Sequence, residues 1–138
     1  MVHAETIKLE TEGFSDIIDI TGDVAAVISR SGITEGIVNI FSIGSTQTVT
    51  VIEYEPALVD DIKEILEKLI PSDIASRHSR TWGDDNGFSH MRGTLFGCET
   101  TAPVTGGQVM LGTWQQVVLI DHDNWNRSRQ VRVTIVGE

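Results

Sequence analysis

The apolar side chains of this chain recur at two different spacings, and each spacing predicts a different element. Residues 57–70 carry an apolar side chain at every third or fourth position, which is the pattern of one face of an amphipathic helix. Pro56 suits the start of this helix and Pro71 its end. Residues 21–31 show the same pattern, with Gly32 just past their end. The spacing therefore predicts two helices.

In other segments apolar and polar residues alternate, which is the spacing of β-strands. Residues 36–43 carry apolar side chains on both faces, so this segment is predicted as a central strand. The turn Gly44-Ser45-Thr46 separates it from a strand over residues 47–54, where Glu53 ends an apolar face. Further strands are predicted at residues 6–10, 17–20, 88–96, 108–111, 117–123 and 130–136. Roughly seven strands and two helices predict an α+β fold, mostly an antiparallel sheet or sandwich.

The most polar part of the chain follows the second helix. Residues 72–87 show no periodicity, and a segment of that length without regular structure is often functional. It contains His78, and His90 and Arg92 follow on the predicted strand 88–96. On a strand, His90 and Arg92 would share a face about 7 Å apart. An imidazole beside a guanidinium suits anion binding and proton transfer, whereas the alternative is an exposed sheet face beside a polar loop.

The same segment offers ligands for a divalent metal such as Mg²⁺ or Zn²⁺. His78, His90 and Asp85 would supply mixed nitrogen and oxygen ligands, and Asp84 is the alternative to Asp85. No spacing fixes two of these ligands on one element, and residues 85–87 also resemble a plain turn. The metal site therefore stays one of two hypotheses for this segment.

The amino-acid composition and net charge limit the kinds of molecule that this protein can bind. The 138 residues include 10 Lys and Arg against 20 Asp and Glu, and the resulting charge of −10 repels nucleic acids and anionic membranes. No apolar run is long enough to cross a bilayer, and the N-terminal residues lack the pattern of a secretion signal. Cys98 is the only cysteine, so no internal disulfide can form. We expect a single domain over residues 1–138, located in the cytoplasm.

Several motifs in a fixed order resemble those of the YjbQ family of small proteins, over residues 18–138. In chain order they are Gly-Ser-Thr at 44–46, Ile-Glu-Tyr-Glu-Pro at 52–56, Arg-His at 77–78, Trp-Gly-Asp-Asp-Asn-Gly at 82–87, Ser-His at 89–90, Leu-Gly-Thr-Trp-Gln-Gln at 111–116 and Asp-His-Asp at 121–123. The motif at 111–116 is the most specific of them. Family members often carry histidine where this chain has Gly44 and Phe88, so this chain keeps two pocket histidines.

The resemblance implies a compact α+β domain that assembles as a homotrimer. It also implies a weak thiamine-phosphate synthase activity, which would make the protein a transferase. The pocket that it implies consists of His78, Asn86, His90, Gln115 and the Ser45-Thr46 turn, with Glu53 nearby. The loss of two histidines weakens the case for a metal more than it weakens the fold assignment.

Two hypotheses for the function follow. In the first, the protein is an enzyme acting on a small phosphorylated molecule, as when a thiazole nitrogen displaces pyrophosphate from a pyrimidine-methyl carbon. The expected roles are pyrophosphate binding by Arg92, His90 and the Ser45-Thr46 turn, acceptor orientation by Asn86 and Gln115, and proton transfer by His78. In the second, the same residues form a non-catalytic module that binds a metal ion or a phosphorylated ligand.

Overall fold

The structure is a computed structural model that describes residues 1–138. It contains eight strands and four helices. In chain order these are β1 (Val2–Thr11), β2 (Asp16–Asp19), α1 (Thr21–Ser31), β3 (Glu35–Ser42), β4 (Gln47–Ile52), α2 (Pro56–Leu69), α3 (Arg77–Trp82), α4 (Gly87–Phe96), β5 (Glu99–Thr105), β6 (Gln108–Val109), β7 (Gln116–Asp121) and β8 (Arg127–Gly137). All strand pairs are antiparallel, so the predicted α+β class with antiparallel sheet is confirmed.

The strands form two sheets, with the orders β1-β8-β3-β5-β6 and β2-β7-β4. β3 is a central strand, as predicted, because it pairs with β8 on one side and β5 on the other. Its inward side chains Val38 and Ile40 are fully buried, whereas Ile37 and Phe41 on the opposite face are 50% and 42% exposed. The second apolar face of β3 therefore lies on the surface of the chain.

The main hydrophobic core lies between the two sheets and is closed by α1. β7 contributes to it with Val117 and Leu119, while Val118 and Ile120 point to a second cluster beneath α2. Because β7 is buried on both faces, its sequence is a continuous apolar run and does not alternate between apolar and polar residues.

Both predicted helices are confirmed. α1 ends at Gly32, whose φ of 70° is the left-handed conformation that glycine adopts without strain. α2 begins at Pro56, and the Glu55 carboxylate accepts hydrogen bonds from the first free amides of the helix. None of the four helices is long and apolar enough to cross a membrane.

The strand predicted at residues 88–96 is wrong, because these residues form α4. On a helix, residues four apart share a face, so Phe88 and Arg92 are buried together and His90 lies on a different side. Gly93 allows α4 to lie against the start of β4, since a Cβ there would come within 3.1 to 3.2 Å of the backbone of Ser45 and Gln47. The expected pairing of His90 and Arg92 on one strand face therefore does not form.

Two elements were not predicted. The segment 72–87 contains the short helix α3, which begins after Ser76 and ends at Gly83. The Ser76 hydroxyl accepts a hydrogen bond from the amide of Ser79 at 3.0 Å, which is an N-cap. β5 also forms, between β3 and the two-residue edge strand β6.

Candidate functional site

A cleft of about 750 Å³ lies between the end of α2 and the two helices α3 and α4. It is lined by Ile70, Ile74, Ala75, Ser76, Arg77, His78, Arg80, Gly87, His90, Met91, Thr94 and Leu95. One part of the wall is apolar, and the other part carries two imidazoles and two guanidinium groups. No Asp or Glu side chain lines the cleft. We refer to it as the histidine cleft.

The two imidazoles of the cleft lie against each other. His78 is in the first turn of α3 and His90 is in α4, and their ring centroids are 4.4 Å apart with a tilt of 40°. The sequence prediction that both histidines belong to one site therefore agrees with where the structure places them. Their positions depend on the N-cap of α3 and on the close approach of α4 to β4.

The surroundings of His90 favour its neutral form. Burial is the largest cause and lowers the pKa of His90, and the neighbouring charge of His78 lowers it further. The carboxylates of Asp123 and Asp84 and a hydrogen bond to the backbone of Ser45 act in the opposite direction, but the pKa stays below its ordinary value of 6.5. At neutral pH, His90 is therefore a neutral imidazole that can accept a proton.

The guanidinium groups of Arg77 and Arg80 have no ion-pair partner and no side-chain hydrogen bond. Both residues are exposed and both line the histidine cleft. They lie three residues apart on α3, so they are neighbours on the helix surface. Two unpaired cations therefore face a cleft that contains two imidazoles.

Arg92 occupies a different environment, and its predicted role in ligand binding has no support in this placement. Its side chain is only 1% exposed and lies behind α4. The guanidinium donates to the Ile70 carbonyl at 2.6 and 3.0 Å, to the Ser15 hydroxyl at 2.9 Å and to the Glu67 carboxylate at 2.8 Å. Its donors therefore hold the end of α2 and are not free for a phosphate.

His122 lies in the same buried region as Arg92. Its Nδ1 is 2.7 Å from the Ser15 hydroxyl and its Nε2 is 2.8 Å from the Thr48 hydroxyl, so both ring nitrogens have partners. Burial, aided by the charge of Arg92, lowers the pKa of His122 to about 4. His122 is thus a neutral residue with a structural role at neutral pH.

Two carboxylates flank His122 and share one arginine. Arg129 donates to Asp121 at 2.7 Å, to Asp123 at 3.1 Å and to the Thr46 hydroxyl at 2.8 Å. Asp121 is fully buried and Asp123 is 3% exposed. Burial by itself would raise the pKa of Asp123, but hydrogen bonds from Asn86, Asn124 and Arg127 hold it below its ordinary value. The residues Ser15, Thr46, Thr48, Arg92, Asp121, His122, Asp123 and Arg129 form what we call the buried polar network.

Asn86 connects this network to the histidine cleft. Its Nδ2 donates to Asp123 at 3.2 Å, and its backbone carbonyl accepts from the amide of His90 at 3.4 Å. Its Oδ1 is buried and has no donor. Of the predicted turn, the backbone of Ser45 lies near His90 but Ser45 does not line the cleft, whereas Thr46 belongs to the buried polar network.

The predicted metal ligands do not come together as a set of three. No group of three His, Cys, Asp or Glu side chains lies close enough to hold a metal ion. The carboxylate near His78 is that of Asp84, at 3.6 Å from Nδ1, rather than that of Asp85. The geometry of the cleft therefore does not fit a zinc ion held by His78, His90 and Asp85, since such sites have at least three protein ligands.

Comparison with known proteins identifies the family. The sequence pattern of the family described as UPF0047 protein YjbQ-like matches residues 5–138. This chain belongs to the YjbQ family. A UPF0047 protein of Methanothermobacter thermautotrophicus is 37% identical over 137 residues, which cover 99% of this chain and 94% of that relative.

Solved structures of the YjbQ family share the fold. A YbjQ-like protein of unknown function from Sulfolobus solfataricus superposes with a TM-score of 0.95 at 31% identity, covering 100% of this chain and 99% of that chain. A hypothetical protein from Aeropyrum pernix gives a TM-score of 0.90 at 29% identity, with 98% of each chain covered. The family resemblance predicted from the motifs is therefore confirmed.

Two pocket residues implied by the YjbQ resemblance lie away from the histidine cleft. Gln115 precedes β7 and accepts a hydrogen bond from the amide of Gly112 at 2.7 Å, and Glu53 is an exposed residue just after β4. β4 and β7 pair from Gln47 and Asp121 at one end to Ile52 and Gln116 at the other, a length of about 17 Å. Gln115 and Glu53 follow at the far end, away from Thr46 and Asp121. One chain does not bring Gln115 or Glu53 to His90.

Arg77 and Arg80 are the functional candidates that sequence reasoning missed. Ser76 and Gly83 were the available signal, because serine before and glycine after a short segment are helix caps. A helix between them would have placed the two arginines on neighbouring positions beside His78. Without that helix, only distance along the sequence guides the choice, and it favours Arg92, which is two residues from His90.

Proposed function

We propose that this YjbQ-family protein binds a small phosphorylated molecule in the histidine cleft and transfers a proton there. The observation that carries the proposal is the set of four basic groups, Arg77, Arg80, His78 and His90, in a cleft with no carboxylate in its lining. The chain as a whole has a charge of −10. A local excess of positive charge in such a chain is selective for anions, because the rest of the surface repels them.

The unpaired guanidinium groups supply the phosphate contacts in this proposal. Arg77 and Arg80 replace Arg92 in the role that the sequence suggested, since only they have free donors in the cleft. A guanidinium presents paired N–H donors that match two phosphate oxygens, and such charge-assisted bonds are among the stronger ones. Mg²⁺, if required, would enter with a diphosphate as part of the substrate.

The apolar part of the cleft points to a ligand with an apolar body. Ile70, Ile74, Met91 and Leu95 line it beside the basic groups. A volume of about 750 Å³ falls within the ordinary range for pockets that bind small molecules. The ligand class that fits is therefore a phosphate or diphosphate ester of a small, flat or apolar group.

The reaction that the YjbQ resemblance implies fits this class. A thiazole nitrogen forms a bond to the pyrimidine-methyl carbon while the carbon–oxygen bond to pyrophosphate breaks. Arg77 and Arg80 would hold the leaving pyrophosphate, and His78 would give it a proton. A thiamine-phosphate synthase assay with both substrates and Mg²⁺ tests this step. Binding without turnover would favour the non-catalytic ligand-binding module instead.

We also propose that the chain forms the homotrimer that the resemblance implies, with the cleft near a subunit boundary. Ile37, Phe41 and Val136 are 42% to 50% exposed on the outer face of the larger sheet, and an apolar face of this kind is a candidate interface. A neighbouring subunit is also the only way for Gln115 to approach His90. Sedimentation equilibrium showing a monomer at micromolar concentration would contradict this proposal.

Calorimetric titration with inorganic pyrophosphate, with and without Mg²⁺, tests the ligand class. We expect binding in the millimolar range or tighter, and a loss of about tenfold in affinity for Arg77→Ala and for Arg80→Ala. Lys63→Ala is the control, because Lys63 has no ion pair, lies on α2 and does not line the histidine cleft. The proposal fails if the unmodified protein shows no binding at millimolar pyrophosphate, or if all three variants bind equally.

A further inference from the structure

We propose that Asp84 is a positioning residue that orients the His78 imidazole, so that His78 and His90 have different roles in proton transfer. The consequence for catalysis rests on the proposed function, whereas the orientation itself does not. Asp84 lies in the loop after α3, at residues 83–86, and does not line the cleft. Its carboxylate lies beside the Nδ1 atom of His78.

The Nδ1 atom of His78 has no hydrogen-bond partner although it is buried. A buried ring nitrogen without a partner is costly, by roughly 1–3 kcal/mol, so a nearby acceptor is expected to take up its proton. The Asp84 Oδ1 lies 3.6 Å from this nitrogen, which is slightly longer than a hydrogen bond. Catalytic hydrogen bonds are often long before a ligand binds and shorten when it does.

The loop after α3 is built to hold Asp84 in this place. Gly83 ends the helix with a φ of 71°, and Asp85 follows with a φ of 56°, which is an unusual conformation for a residue other than glycine. The Asp84 carbonyl accepts a hydrogen bond from the Asn124 side chain at 2.8 Å.

An acceptor at Nδ1 decides what the other nitrogen of His78 can do. If Nδ1 carries the proton that Asp84 accepts, the Nε2 atom is left to exchange a proton with a ligand in the cleft. No carboxylate lies within 4 Å of a ring nitrogen of His90, so Asp84 orients the ring of His78 alone. The two imidazoles then differ in role, because only His78 has an acceptor beside it that selects which ring nitrogen carries the proton.

Nitrogen-15 NMR of the histidine side chains, recorded without any ligand, tests the orientation directly. We expect the neutral form of His78 to carry its proton on Nδ1 in the unmodified protein. Asp84→Ala removes the acceptor and should abolish this preference. Asp84→Asn keeps an acceptor without the charge, so it should keep the preference. Asp61→Ala, at an exposed position of α2, removes one carboxylate elsewhere and should change nothing.

The titration of His90 gives a second readout in the same samples. The groups whose charges act on it are His78, Asp123 and Asp84. Removal of the Asp84 charge, by either substitution, should lower the midpoint of the His90 titration, whereas Asp61→Ala should leave it unchanged. The inference is overturned if His78 carries its proton on Nε2 in the unmodified protein, or if Asp84→Ala behaves as Asp61→Ala does. Failure of pyrophosphate binding would leave both NMR results intact, so the two proposals fail separately.

Discussion

His90 and His122 show how the surroundings of a histidine decide what it can do. His122 has both ring nitrogens within 2.8 Å of a hydroxyl and no exposure to solvent. His90 lines an open cleft, where a second imidazole and two unpaired arginines face the same space. The first arrangement uses all the hydrogen-bonding capacity of the ring for stability. The second leaves capacity for a ligand.

The arginines of the two regions differ in the same way. Arg92 and Arg129 belong to the buried polar network, and their guanidinium groups donate to carbonyls, hydroxyls and carboxylates of the chain. The guanidinium groups of Arg77 and Arg80 donate to no group of the chain. A buried polar group whose partners are complete specifies the fold, and an incomplete one at the surface of a cleft is a candidate for binding. We therefore expect substitutions in the buried polar network to change stability, and substitutions in the histidine cleft to change ligand binding.

The largest effect is expected for Arg129→Met. It leaves Asp121 and Asp123 buried without their shared cation, and loss of one partner from a buried ion pair costs about 3–5 kcal/mol. Urea denaturation measures the free energy of unfolding. The control is Lys63→Met on α2, where the side chain has no ion pair and we expect a change of less than about 0.5 kcal/mol. Equal destabilisation by the two substitutions would contradict the role of Arg129.

The second prediction concerns the pH dependence that His122 adds to stability. In the unfolded chain His122 takes up a proton below its ordinary pKa of 6.5, whereas burial in the folded chain lowers the pKa to about 4. The unfolded state therefore binds more protons between these values, and stability falls as the pH falls. The size of this effect is about 3 kcal/mol between pH 7 and pH 4.

His122→Gln removes this dependence while keeping a donor and an acceptor for Ser15 and Thr48. Unfolding by urea at a series of pH values should show a smaller loss of stability on acidification than in the unmodified protein. His3→Gln is the control between pH 7 and pH 5, because the ring of His3 lies on the edge strand β1 and hydrogen-bonds to Glu5, whose pKa is lowered to about 2 and which therefore stays charged over this range. The assignment is wrong if both substitutions, or neither, reduce the pH dependence.

The elements that the sequence predicted well are those with a long or unambiguous pattern. α2 carries its apolar side chains over fourteen residues, and β3 is apolar on both faces, so no other element competes with either interpretation. The segment 88–96 is different, since its nine residues are compatible with both spacings. Its helix depends on a tertiary contact, the approach of Gly93 to the backbone of β4, which no local pattern reveals.

The placement of the candidate site residues could be predicted from the sequence only in part, for a related reason. His78 and His90 were both named and the structure places their rings together. Arg92 was misplaced because the strand assignment put it on the face of His90. On the helix it shares the buried face of Phe88 instead, with its guanidinium 4.9 Å from the centre of that ring. The separation of Gln115 from the cleft depends on strand pairing, and pairing partners are not encoded locally.

A moderate effect is expected for His90→Ala, and it separates function from stability. His90 is half-exposed in the cleft and packs mainly against His78. Its removal should shift the melting temperature by no more than a few degrees, while pyrophosphate affinity falls and any turnover disappears. Differential scanning fluorimetry and calorimetric titration measure the two quantities. A large fall in melting temperature with unchanged binding would place His90 with His122 among the structural histidines.

The smallest effect is expected at Gly44, in the segment that joins the two regions. A Cβ at Gly44 would collide with the side-chain amide of Gln47, which is fully buried and fills that space. Gly44→Ala should therefore cost about 1 kcal/mol as an overpacking effect, and the cost should vanish in a Gln47→Ala background. Gly22→Ala on α1 is the control, because nothing lies within 4 Å of the added methyl group and no cost is expected. Urea denaturation of the unmodified protein, the two single variants and the double variant gives the free energy of unfolding of each, and hence the coupling between positions 44 and 47. If Gly44→Ala lowers the free energy of unfolding equally in both backgrounds, the Gln47 amide is not the group that excludes a side chain at position 44. Another contact must then explain why glycine is favoured there.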